Sequence, residues 1–163
     1  MRVAGWLIII MLGGLIRSAP GWSQDKELAV AISQFKQLRS QGFLEEAVPF
    51  AETALAIGKG MFGAKDPTSA VLLDNLAGLY KAQNRTAEAE GYYALALTIR
   101  EEALGLNHPD VAASLQSSGV LYHGQGKYFS AEFDFKRALK AYEHALGRKH
   151  PGIVQGLERY ATF

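Results

Sequence analysis

The sequence predicts an all-α solenoid of stacked antiparallel helix pairs. Three observations carry that reading. Pro67, Pro109 and Pro151 stand 42 residues apart, and Gly63, Gly105 and Gly147 keep the same register. Aligning 66–107 with 108–149 without a gap gives 14 identities in 42 positions, where chance gives about two or three. Each unit also holds two helix-spaced apolar stripes with a turn residue between them, namely Gly42, Asn84 or Gly126. A fixed period of this length means that one helix pair buries its apolar face only against its neighbours.

The chain opens on Arg2, an apolar run of 14 residues from Val3 to Ile16, then Arg17-Ser18-Ala19-Pro20-Gly21-Trp22-Ser23. The run falls short of the roughly 20 residues needed to span a bilayer. A basic start, an apolar centre and small residues at Gly21-x-Ser23 predict a signal peptide over 1–23, cleaved before Gln24. An uncleaved anchor is the alternative. With the signal removed, no stable membrane span is expected.

The units follow as 24–65, 66–107 and 108–149, with a partial copy at 150–163 that contributes one helix. In the second unit Ala70, Leu73, Leu76, Ala77 and Tyr80 form one helical face. Asp66 is a natural N-cap before Pro67, where proline's missing N–H costs nothing. Asn84 ends the first helix, as Gly42 and Gly126 do in the other units. A second stripe runs through Ala89, Tyr92, Tyr93, Ala96, Leu97, Ile99, Ala103 and Leu104 to Gly105. Small residues at Ala77/Gly119, Ala89/Ala131 and Ala96/Ala138 mark close helix approaches. Two departures stand out. Phe35 occupies the small-residue place of the first unit, and Pro49 falls early in that unit's second helix, where a bend is expected.

The string Leu73, Leu76, Ala77, Tyr80, Asn84, Ala89, Tyr93, Ala96, and its copy Leu115, Ser118, Gly119, Tyr122, Gly126, Ala131, Phe135, Ala138, resembles the tetratricopeptide repeat. The 42-residue period is similar to the kinesin light chain type of that repeat, whose second helix is longer. The resemblance covers about 25–163. It implies a right-handed solenoid whose first helices line a groove for peptides or partner helices. Transferred by register, the groove residues are Lys36 and Arg39 in the first unit, with Ile32 and Ser33 beside them. The second unit gives Asp74, Asn75 and Lys81 around Gly78. The third gives Gln116, Ser117 and His123 with Val120, and the last helix gives Arg159 with Glu158 and Thr162. Asn75 matches the asparagine that many family members use to bond a ligand's backbone. The basic residues outnumber the acidic ones, so a peptide with acidic groups is favoured.

Other chemistry is weak in the sequence. No cysteine is present, which excludes disulfides, thiolate nucleophiles and cysteine metal sites. His108 and His150 are equivalent positions before the helix-starting prolines, so they read as capping or loop residues rather than ligands. Glu45/Glu46 and Glu101/Glu102 read as solvated helix faces with i, i+4 support. No catalytic, metal or cofactor constellation is recognisable. Of 17 Lys and Arg, two lie in the leader, leaving 15 against 16 Asp and Glu, so nothing favours nucleic acid.

The expected function is a non-catalytic protein-binding scaffold of the cell envelope or secreted space, periplasmic or extracellular. A self-assembling structural module, or a piece of a longer regulatory protein, is the alternative. The partial last unit would leave Leu157, Tyr160 and Phe163 as an apolar edge, which predicts weak homo-oligomer formation through that end.

Overall fold

The computed structural model describes residues 23–147. Within them six helices run in order: α1 (Gln24–Ser40), α2 (Leu44–Phe62), α3 (Pro67–Ala82), α4 (Thr86–Leu104), α5 (Pro109–Gly124) and α6 (Tyr128–Leu146). No strand occurs among the described residues. The pairs α1/α2, α3/α4 and α5/α6 stack in chain order, and α2 packs on α3 as α4 packs on α5. The array is a right-handed α-solenoid. The expected leader over 1–23, apart from Ser23, and the helix after Pro151 lie outside the described residues.

Local chemistry explains each boundary. At α3 the Asp66 carboxylate accepts the Thr68 backbone N–H at 2.7 Å, with Pro67 at the first helical position. His108 does the same at α5, its Nδ1 accepting the Asp110 N–H at 3.1 Å. The capping bonds hold Asp66 below the usual carboxylate range. All three pairs turn through one motif. Gly42, Asn84 and Gly126 adopt φ of +83°, +60° and +72°. The N–H of the next residue then reaches five positions back, Phe43 to Leu38, Arg85 to Tyr80 and Lys127 to Tyr122, at 2.8–2.9 Å. This is the Schellman closure, and its left-handed residue is why glycine or asparagine stands there.

The stripes bury as expected, with Leu73, Leu76, Leu115, Ala89 and Ala131 at 0–1% exposure, and Leu79, outside the expected stripe, is buried as well. One detail differs from the expectation. Ala103 is exposed, and Arg100 is buried in its place on the helix face turned to the third pair. Pro49 lies inside α2, which runs from Leu44 to Phe62, with its ring on an exposed face.

Phe35 is 1% exposed and sits in the core. Its partner position on the second helix of the unit holds Ala51. The second unit has Ala77 and Tyr93 at these two places, and the third has Gly119 and Phe135. A Cβ added at Gly119 would meet the Phe135 ring at 2.9 Å. Each pair therefore places one ring and one small residue here. The first pair assigns them to opposite helices from the other two.

Candidate functional site

The first helices α1, α3 and α5 carry the residues that sequence assigns to the groove. A cleft of about 460 Å³ opens between α1 and α3. Leu28, Ile32 and Lys36 of α1 face Thr68, Val71, Leu72 and Asn75 of α3 across it, with Phe62 and Asp110 at its margins. It is a mainly apolar trough with an ammonium on one wall and a carboxamide on the other. Lys36, Ile32 and Asn75 thus converge. Gln116, Ser117 and His123 do not line this cleft; Gln116 and Ser117 are half-buried on α5, and His123 is exposed with its ring edge-on to Tyr128 at 5.4 Å. Lys81 is exposed near the end of α3. Arg159, Glu158 and Thr162 lie outside the described residues.

Farther along, Arg39 leans across from α1 to α3. A Cβ at Gly78 would sit 3.9 Å from its Nη2, so the glycine gives the guanidinium its bed. Beyond Gly78 lie the Tyr93 hydroxyl and Asp74. Burial pushes the Tyr93 hydroxyl up, and the negative charge of Asp74 adds to that while Arg39 opposes it.

Asp74 is not a free groove carboxylate. Its Oδ2 accepts Arg100 Nη1 at 2.6 Å, and the Arg100 side chain is only 8% exposed. Arg100 also donates a short hydrogen bond to Ser114 of α5. One guanidinium therefore joins α4 to the first helices of two units. Burial raises the Asp74 carboxyl, and the Arg100 charge partly offsets the shift. Its Oδ1 is buried without a partner among the described residues, which leaves an acceptor beside the groove. At the register of Asp74, the third pair carries Gln116, whose buried Nε2 likewise lacks a partner among the described residues.

The carboxylate pair Glu101/Glu102 departs from the expected i, i+4 support. Glu101 accepts Arg137 of α6 at 2.5 Å, and Glu102 pairs with Lys65 of the α2–α3 loop at 3.1 Å. Both bonds tie neighbouring units. Sequence reading missed Arg100 and Ser114 because a charge inside an apolar stripe resembles a solvated position. Arg100 stands four residues after Ala96 and four before Leu104, at helical spacing within the stripe, and that was the available signal.

Among the described residues no three His, Asp or Glu side chains are grouped to hold a metal ion. No described helix is long and apolar enough to cross a membrane.

The tetratricopeptide repeat model matches residues 36–102 and again 68–144. The chain belongs to the tetratricopeptide repeat family. Its 42-residue period is similar to the kinesin light chain type of that repeat. The structure is similar to BtubC (BKLC) from P. vanneervenii at 23% identity and a TM-score of 0.77, over 89% of this chain and 58% of that one. A putative kinesin light chain of P. anserina with nearly identical TPR-like repeats matches at 20% identity and a TM-score of 0.70, over 85% of this chain and 64% of that one. The N-terminal domain of stress-induced protein-1 from C. elegans matches at 16% identity and a TM-score of 0.61, over 86% and 99%. The chain thus spans less than two thirds of the first and second of these proteins. At such identities the likeness defines the fold. No curated protein matches the sequence. Repeats of this family generally mediate protein–protein interaction.

Proposed function

We propose that the protein is a non-catalytic adaptor, exported across a membrane and working in the periplasm or outside the cell. It holds an extended peptide or a partner helix against α1 and α3. The observation that carries this reading is the trough in which Leu28, Ile32 and Val71 form an apolar floor while Lys36 and Asn75 face each other across it. An apolar floor with a few convergent polar groups suits a peptide whose side chains bury and whose backbone is bonded. Asn75 offers both a donor and an acceptor to a peptide unit. Lys36 and Arg39 favour acidic side chains, since the charge of Asp74 is already engaged by Arg100. Export is supported by the apolar run before Gln24, where α1 begins.

Two measurements test the proposal. Affinity capture from an envelope fraction is expected to retain a partner that is lost with Lys36→Glu and with Asn75→Ala, while both variants keep wild-type helicity. Retention by both would remove the trough as the binding site. Mass spectrometry of the protein from its native compartment is expected to show Gln24 as the first residue. Intact Met1 on cytosolic protein would overturn the location.

A further inference from the structure

We propose that the third helix pair carries a second docking pocket, outside the groove, that accepts an arginine side chain of a protein partner. The pocket measures about 320 Å³ and is lined by Tyr122 of α5 and by Phe129, Ser130, Phe133 and Asp134 of α6. None of these residues lines the trough described above.

Comparison along the repeat shows what is unusual. In the second pair Tyr92 stacks on Tyr80, with ring centres 5.4 Å apart and planes 5° from parallel. The third pair keeps the lower ring as Tyr122 but replaces the upper one with Asp134. A carboxylate now stands where the fold otherwise places an aromatic ring. Asp134 is 8% exposed, and no hydrogen bond or ion pair reaches it from the described residues. The nearby cations are committed elsewhere. Arg137 pairs with Glu101, and Lys127 pairs with Glu90 at 2.8 Å. An acid so desolvated, with only the through-space attraction of Arg137 to oppose it, is costly, and burial pushes its carboxyl up to about 6. A guanidinium entering the pocket would supply the missing partner.

The walls fit that guest. Phe129 and Phe133 are 83% and 56% exposed, a cost that a soluble surface rarely carries without use. The equivalents of Phe129 and Phe133 in the second pair are Ala87 and Gly91, which stay exposed although the third pair is stacked beside them. Flat rings around a carboxylate favour arginine over lysine, because guanidinium stacks on aromatic faces and bonds a carboxylate in a fork. Phe133 already receives one such group, with Arg137 Cζ lying 5.7 Å from its ring centre.

The experiment is an NMR titration of the ¹⁵N-labelled full chain with N-acetyl-arginine methylamide, using the neutral isostere N-acetyl-citrulline methylamide as control. Saturable shifts are expected at the amides of Phe129, Ser130, Phe133 and Asp134. The citrulline probe is expected to bind about tenfold more weakly or not at all, as is the arginine probe to Asp134→Asn, since each change removes a charge-assisted bond. Phe133→Ala is expected to weaken arginine binding while preserving the circular dichroism spectrum. Equal response to the two probes, undiminished binding by a helical Asp134→Asn protein, or shifts confined to the trough around Lys36 and Asn75 would overturn the proposal.

Discussion

The junction between the first and second helix pairs and the junction between the second and third use the same register positions with opposite chemistry. At the first, Gly58 of α2 receives Leu72 of α3 so closely that a Cβ at Gly58 would lie 2.3 Å from the leucine Cδ1. At the second, the same two places hold Arg100 and Ser114, joined by a hydrogen bond. Ile32 on the trough of the first junction becomes Asp74 at the second. One contact is an apolar knob in a glycine hole. The other is a buried ion pair with a hydroxyl. The solenoid geometry is indifferent to polarity at this point, provided that volumes match and every buried charge is paired. The Phe35/Ala51 and Gly119/Phe135 pairs repeat the lesson inside the units, where the ring changes helix but the space it fills is kept.

Four substitutions probe this comparison, beginning with the largest expected effect. Phe35→Ala removes the ring at its site, and Ala51 opposite cannot fill the gap. A loss of about 3–5 kcal/mol is expected in urea denaturation. Restoring a ring as Phe35→Ala/Ala51→Tyr, the allocation of the second pair, should recover much of it. No recovery would show that the two arrangements are not interchangeable.

Arg100→Ala strips the counterion from the half-buried Asp74. A cost of about 3 kcal/mol is expected. The triple change Asp74→Ile, Arg100→Gly, Ser114→Leu imports the first junction into the second and should be much closer to wild type than Arg100→Ala alone. A triple variant as unstable as Arg100→Ala would break the equivalence of the junctions.

Gly58→Ala gains up to about 1 kcal/mol of helix propensity but drives a methyl into Leu72. A net loss of about 1–2 kcal/mol is expected, read from the denaturation midpoint. Gly91→Ala, at an open site with nothing within 4 Å of the added Cβ, should instead be neutral or stabilising.

The smallest effect concerns Asp134, whose folded-state value is raised to about 6 from 3.8. Burial is the main cause; Glu101 adds to it and Arg137 opposes it. Tyr122, Glu90 and Lys127 stand nearby across the α4–α6 side of the pocket. Because the folded state favours the protonated acid, its contribution is present in full below about pH 4 and is lost as pH rises through about 6. A shift of this size corresponds to about 3 kcal/mol, which water in the open pocket reduces to about 1–2 kcal/mol. Asp134→Asn should flatten the stability profile between about pH 4 and 7 and leave the protein more stable at neutral pH. An unchanged slope would mean that Asp134 finds a cationic partner in the intact chain.

Much of the fold is legible in the sequence because the repeat compares each position with itself. The left-handed turn at Asn84 follows from the glycines at Gly42 and Gly126. The cap at His108 follows from Asp66. What escapes is any feature made by partners far apart in sequence. Arg100 and Asp74 are separated by 26 residues, and nothing in their spacing says that they meet. The replacement of Tyr92 by Asp134 is visible in the aligned units, yet its meaning depends on the Tyr80–Tyr92 stack, which only the structure shows. The groove residues were placed by register alone. The structure separates Lys36 and Asn75, which share a trough, from Asp74, which is tied to Arg100.

The main packing contacts in this molecule join a helix to the one before or after it in the chain. Such a topology makes most native contacts between segments close in sequence, so little loop entropy opposes their formation and folding is expected to be fast. It also permits assembly in one direction. A chain emerging from a ribosome or a secretion pore can close α1 on α2, then dock α3 and α4 on that finished surface, before the third pair has appeared. Until α5 arrives with Ser114, Arg100 holds Asp74 while the N–H that will meet Ser114 stays unused, so the last pair meets a growing end already marked by an oriented guanidinium.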